Sequence, residues 1–307
     1  MHAAVSDPAP PPVNWRRVWR AARLAAAALV ALLLTLPPGL GFVMVSGFMR
    51  GLCGGSVDPA AAGLPAQPVT FYASNLQRDV RGYFVQGSSG AAVIIAPTGS
   101  DGAGAPLDEI ALLQRHGYSV LTYESRPCMG VPHSLGYKET AEVGDALAYL
   151  NSRSDVDPQR IAVYGFSTGG ATAIMAGARF PQLAAVIALG GYADFDRYLD
   201  EQIATLWYGP LFRLGAHAAY RLTAGQPMSV LSPLSVIGQI APRPVLLIYG
   251  SEEPSLPGAR QQLAAAGETA QLWEVPGAAH GSYIYTAPAE FETRIVAFLD
   301  AALAVQR

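Results

Sequence analysis

The chain has 307 residues, of which 14% are charged and 51% hydrophobic, and its formal net charge is −3. That balance supplies no basic surface of the kind a nucleic-acid backbone requires, so a nucleic-acid partner is excluded. The five histidines and two cysteines fall at no metal-ligand spacing, and neither a metal nor another cofactor is expected.

Residues 1–23 read as a Pro/Ala-rich, disordered start followed by a basic segment containing Trp15, Trp19, Arg16, Arg17, Arg20 and Arg23. An uncharged run then occupies 24–49 and ends at Arg50. As a helix it would reach about 39 Å, more than the ~30 Å hydrocarbon core needs. Arginines crowd its N-terminal side and only Arg50 follows it. That bias predicts a single-pass anchor with the remaining chain outside the cytoplasm. Pro37-Pro38-Gly39 should interrupt and kink the run. The interruption leaves 24–36 the length of a secretory-signal core, so a cleaved signal is one alternative and a buried helix another. In an oxidising compartment Cys53 and Cys128 could pair.

Residues 50–67 read as a Gly/Pro/Ala-rich linker to one large domain over 68–307. Residues 68–74 and 80–86 alternate as a hairpin does. Apolar runs at 91–96 and 117–123 are of the buried-strand type, with a helix over 107–116 between them. An amphipathic helix covers 140–150 and a strand begins at Ile161. Strands follow at 183–189, 244–249 and 271–275, with helices near 258–266 and 287–305. Residues 192–228 are rich in Tyr, Trp, Phe and Leu and carry no strand pattern. This alternation predicts an α/β fold with a mainly parallel central sheet and helices on both faces. Sites in such sheets lie beyond the carboxyl ends of strands.

The Ile161 strand stops at Gly165-Phe166-Ser167-Thr168-Gly169, and an Ala-rich helical segment follows. A sharp strand-to-helix turn of this kind holds a serine hydroxyl proud of the sheet. The free N–H groups of the helix N-terminus then face the place where an oxyanion would form. A serine needs a base, and only His280 follows a strand in a Gly-flanked turn. His133, near another strand end, is the competitor. The imidazole in turn needs an acceptor. Glu252 and Glu253 follow a strand and precede the histidine, with Asp194 and Asp196 as alternatives.

With these pieces in place the chain resembles the α/β-hydrolase superfamily, notably its esterase, dienelactone-hydrolase and prolyl-oligopeptidase-like branches. The resemblance spans roughly 68–306. It rests on Gly165-Phe166-Ser167-Thr168-Gly169-Gly170, on Arg243-Pro244-Val245-Leu246-Leu247-Ile248-Tyr249-Gly250 and on Pro276-Gly277-Ala278-Ala279-His280. It implies that the acid is Glu253, three residues past the strand-ending glycine, where the family usually carries Asp. Thr98-Gly99 stands where the family has His-Gly, and the backbone N–H groups of Ser100 and Thr168 are the implied oxyanion hole. Residues 192–228 sit where relatives place a cap, here expected to be a mobile helical lid. Trp207, Tyr208, Leu211 and Phe212 are its candidate acyl-pocket residues. The implied activity is a serine hydrolase that cleaves an ester, thioester or amide of a small-molecule or lipid-like acyl substrate through an acyl-enzyme. Acyl transfer, peptidase action and an inactive binding protein on the same fold are the alternatives, and the oligomeric state is left open.

Overall fold

The computed structural model describes residues 13–304. The expectations for residues 1–12, and for the end of the last helix at 305, lie outside the described residues. In chain order the elements are α1 (Trp15–Arg50), β1 (Ala66–Ala73), β2 (Arg78–Val85), β3 (Ala92–Ala96), α2 (Leu107–Arg115), β4 (Ser119–Tyr123), α3 (Glu139–Asn151), β5 (Ile161–Phe166) and α4 (Thr168–Arg179). They continue as β6 (Ala185–Leu189), α5 (Phe195–Ile203), α6 (Gly209–Ala224), β7 (Val245–Gly250), α7 (Leu256–Ala266), β8 (Ala270–Val275), α8 (Tyr283–Thr286) and α9 (Pro288–Ala302).

The eight strands form one sheet in the order β1-β2-β4-β3-β5-β6-β7-β8. The β1–β2 and β2–β4 pairs are antiparallel and the remaining pairs parallel. Successive strand residues point to opposite faces, so the apolar strands feed two cores. Ile94, Leu121, Val163, Val186 and Leu247 meet Val143, Leu150, Ile174 and Ala259 of α3, α4 and α7 on one face. Val93, Val120, Tyr164, Ile187 and Ile248 meet Ile110, Leu113, Phe291 and Leu299 of α2 and α9 on the other. This is the three-layer arrangement expected of an α/β-hydrolase. In register, Ala96 lies opposite Gly165, Phe166 opposite Leu189, and Leu189 opposite Ile248. The carboxyl ends of β3, β5, β6 and β7 are thereby brought to one edge.

α1 departs from expectation. It is continuous from Trp15 to Arg50, with Pro37 and Pro38 inside it, so the expected interruption is absent. A proline removes one backbone donor, and two lost bonds do not end a helix whose next turns are held by packing. Pro37, Gly41, Val45 and Met49 are buried at four-residue spacing, which places them on one helical face. That face lies on α6. A Cβ added at Gly41 would stand 2.1 Å from Phe212 O, and one at Gly215 would stand 1.8 Å from Pro38 O. Only glycines allow the two backbones to meet so closely. Val45 and Met49 continue into a third core, with Leu135, Tyr192, Phe212, Ala216 and Tyr220. Residues 15–36 of α1 are exposed throughout, a free length of about 33 Å.

Candidate active site

Ser167 sits between β5 and α4 with φ 55° and ψ −122°. A residue bearing a Cβ rarely adopts this conformation. Its neighbours hold it there. A Cβ at Gly165 would stand 2.0 Å from Gly169 O, and one at Gly169 would stand 2.5 Å from Ala96 O. The Ser167 N–H donates to Leu189 O over 2.8 Å, tying the turn to the end of β6.

His280 follows β8 and reaches across the strand ends, with Nε2 3.2 Å from Ser167 Oγ. Its Nδ1 lies 3.0 Å from Glu253 Oε2. Glu253 is buried and follows β7. It accepts from Gly250 N (2.7 Å), Ser255 Oγ (3.0 Å) and Tyr283 Oη (2.5 Å) as well. Burial pushes its pKa up, but the bonds from His280, Tyr283, Gly250 and Ser255 outweigh burial and hold it below the ordinary value. A carboxylate can only accept, so the proton on the imidazole belongs on Nδ1 and Nε2 is left as an acceptor facing the serine. The Phe166 ring lies 4.7 Å from the imidazole, centroid to centroid, and gives it an apolar wall.

The other candidates lie elsewhere. Glu252 is exposed. Asp194 caps α5 by accepting from Arg197 N over 3.0 Å. Asp196 accepts from Arg213 and His217. His133 is buried with both ring nitrogens engaged, Nε2 with Phe48 O (2.8 Å) and Nδ1 with Leu135 N (3.3 Å). Burial lowers its pKa, in keeping with a neutral ring that holds two backbone segments together.

Two clefts meet at the serine. The larger, of about 790 Å³, is lined by Gly47, Phe48, Gly51 and Leu52 together with Thr98, Ser100, Phe166, Ser167 and Thr168. The smaller, of about 320 Å³, includes Phe48, Ser167, Tyr192, Phe195, Tyr198, Glu253 and His280. Ser100 lines the larger cleft and Thr168 both, and the Ser100 N–H donates to Thr98 Oγ1 over 3.4 Å. None of Trp207, Tyr208, Leu211 and Phe212 lines either cleft, which corrects their candidate role. Trp207 is 72% exposed and Phe212 is buried, with its carbonyl against Gly41 of α1. The insert faces the site instead through Tyr192, Phe195 and Tyr198. The three-residue spacing of Phe195 and Tyr198 marks one helical face and was the available signal. The wall supplied by α1 had no local signal.

Beneath the Thr98 turn, Arg126 Nε pairs with Glu142 Oε1 (2.7 Å) and lies 3.5 Å from Glu139 Oε1. All three are buried. Burial, foremost, pushes the Glu142 carboxyl up to about 7. Glu139 accepts from Ser134 N, Ser134 Oγ and Gly136 N, fixing the loop that carries His133. A Cys53–Cys128 disulfide closes the same side.

A model of the prolyl oligopeptidase family matches residues 131–306, more than half of the chain. An uncharacterized protein of Mycobacterium tuberculosis is 29% identical over 235 residues, 74% of this chain and 76% of that protein. The thiohydrolase apmlB of Arthrinium phaeospermum is 31% identical over 108 residues, 33% of this chain and only 35% of its own length. Among solved structures, an esterase of Pyrococcus furiosus superposes with a TM-score of 0.66 at 19% identity, covering 82% of this chain and 97% of that one. A puromycin hydrolase gives 0.64 at 18% identity, covering 79% and 40%. At such identities these structures speak for the fold alone. The strand order, the turn at Ser167 and the family match together place this chain in the prolyl oligopeptidase family of α/β-hydrolases, as a hydrolase of the serine type.

Proposed function

We propose that the protein is an acyl-cleaving serine hydrolase in which Ser167 is the nucleophile, His280 its base and Glu253 the residue that orients the base. The observation that carries this reading is the contact chain Ser167 Oγ–His280 Nε2 (3.2 Å) and His280 Nδ1–Glu253 Oε2 (3.0 Å). His280 takes the serine proton as Oγ attacks the acyl carbon, and the buried carboxylate stabilises the imidazolium. The backbone N–H groups of Thr168 and Ser100 receive the oxyanion. His280 then protonates the leaving alcohol, thiol or amine, and the carbonyl–heteroatom bond breaks to leave Ser167 acylated. Water, activated by the same imidazole, releases the acid and restores the serine.

The short match to a thiohydrolase supports an ester or thioester as the bond cleaved. The membrane reading goes with it: α1 anchors the enzyme and the catalytic domain lies outside the cytoplasm. Its supports are the exposed 15–36 half of α1, the four arginines at its start and the disulfide. A direct test is rapid-quench mass spectrometry of the full-length protein with p-nitrophenyl acetate. The expected species carries one acetyl group on Ser167, with a burst of nitrophenol. Steady turnover with no acylated serine would contradict the covalent route.

A further inference from the structure

Phe48 stands at the junction of the two clefts, beside Ser167 and Thr168 in both, yet it belongs to α1. We propose that the distal end of α1 is part of the substrate site. The larger cleft takes the acyl chain of a membrane-resident lipid ester, which reaches Ser167 along α1. This rests on the serine-hydrolase and anchor readings above.

Three observations converge on it. First, the end of α1 is fixed against the serine's neighbours rather than tethered loosely. His133 N and Nε2 bond Met49 O and Phe48 O, both at 2.8 Å. Gly54 N donates to Ser100 O over 2.8 Å, and Cys53 is bonded to Cys128.

Second, an apolar track leads to the cleft. Leu32, Leu36, Leu40, Met44 and Phe48 follow one another at four-residue spacing, each 48–54% exposed, and Leu52 at the rim is 85% exposed. Residues so spaced form one ridge winding slowly about a helix. This ridge lies beside the docked face of Pro37, Gly41, Val45 and Met49.

Third, the depth agrees. About 20 apolar residues span the hydrocarbon core. Counted from Arg23, they end near Val43, so Phe48 stands about 7 Å further on, at headgroup level. Leu214 of α6 is well exposed beside Gly215, which packs against Pro38 of α1, as on an interfacial helix. The cleft's volume of about 790 Å³ is within the ~300–1,000 Å³ that holds a ligand of moderate size. An ester whose chain lies in the leaflet can therefore present its carbonyl to Ser167 without leaving the interface.

The test uses the full-length protein in phosphatidylcholine vesicles, with p-nitrophenyl acetate and p-nitrophenyl dodecanoate as probes. Gly47 lines the cleft, and a Cβ there meets nothing within 4 Å, so Gly47→Trp fills the lobe without disturbing the helix. The dodecanoate-to-acetate ratio of kcat/KM should fall roughly tenfold or more. Leu222→Trp, exposed but away from both clefts, should leave that ratio unmoved. An unchanged ratio in Gly47→Trp, or an equal fall in Leu222→Trp, overturns the proposal while acetate hydrolysis keeps the hydrolase reading. No hydrolysis of either ester by the wild type removes both. Faster cleavage of an S-palmitoyl peptide than of monododecanoyl glycerol in the same vesicles overturns the lipid assignment.

Discussion

Glu253 departs from the aspartate usual in its family, and its surroundings show how the longer side chain is accommodated. Both carboxylate oxygens are occupied: Oε1 by Gly250 N and Tyr283 Oη, Oε2 by Ser255 Oγ and His280 Nδ1. An amide offers one acceptor oxygen where this site needs two. Glu253→Gln should therefore lower kcat by about 10⁴-fold, because the amide favours the wrong imidazole tautomer, while KM stays within a few-fold. A stopped-flow ester assay measures both. The pH dependence follows from the same bonds. A carboxyl held below its ordinary value of 4.5 contributes stability that is fully present above that value and is lost as pH falls through the lowered one. Urea unfolding between pH 7 and pH 3 should show that acid-side loss in the wild type and a smaller one in Glu253→Gln.

At the scale of elements, the seam between α1 and α6 joins the N-terminal helix to the rest of the fold, and two glycines make it possible. Gly215→Leu would drive a side chain into Pro38 O. Overpacking of this kind costs about 1–3 kcal/mol, expected as a lower urea midpoint in detergent and as faster proteolysis within residues 51–65. An unshifted midpoint would mean that the two helices separate freely. The strands, the turn at Ser167 and the histidine were legible in the sequence because each has a local cause: a β-branched run, Gly-flanked positions, a strand before a turn. The partner of His280 needed the family's spacing to choose between adjacent glutamates. The pocket was not legible. Trp207 and Phe212 looked like pocket residues by type, but contacts between distant segments placed one in solvent and the other against α1. The uncharged run over 24–49 reads as a membrane span kinked at Pro37-Pro38-Gly39. Nothing in its pattern reports that Phe48 will stand beside Ser167.

For the whole molecule, α1 and the hydrolase domain share a surface, and α1 is the proposed anchor as well. The proposed placement of the domain outside the cytoplasm would account for the disulfide and for the arginines in the first turns of α1. A phosphatase fused after Arg307 should be active in cells, and a thiol-reactive probe should label Cys53 and Cys128 only after reduction. An inactive phosphatase with thiols labelled before reduction would reverse the topology. The central claim is that Ser167 is activated by His280 and Glu253, and covalent labelling tests it most directly. Full-length protein treated with a fluorophosphonate and digested should carry the adduct on the peptide containing Gly165-Phe166-Ser167-Thr168-Gly169. Labelling should vanish in Ser167→Ala and slow greatly in His280→Ala. Unmodified wild-type protein, or an adduct that persists in Ser167→Ala, would contradict the account.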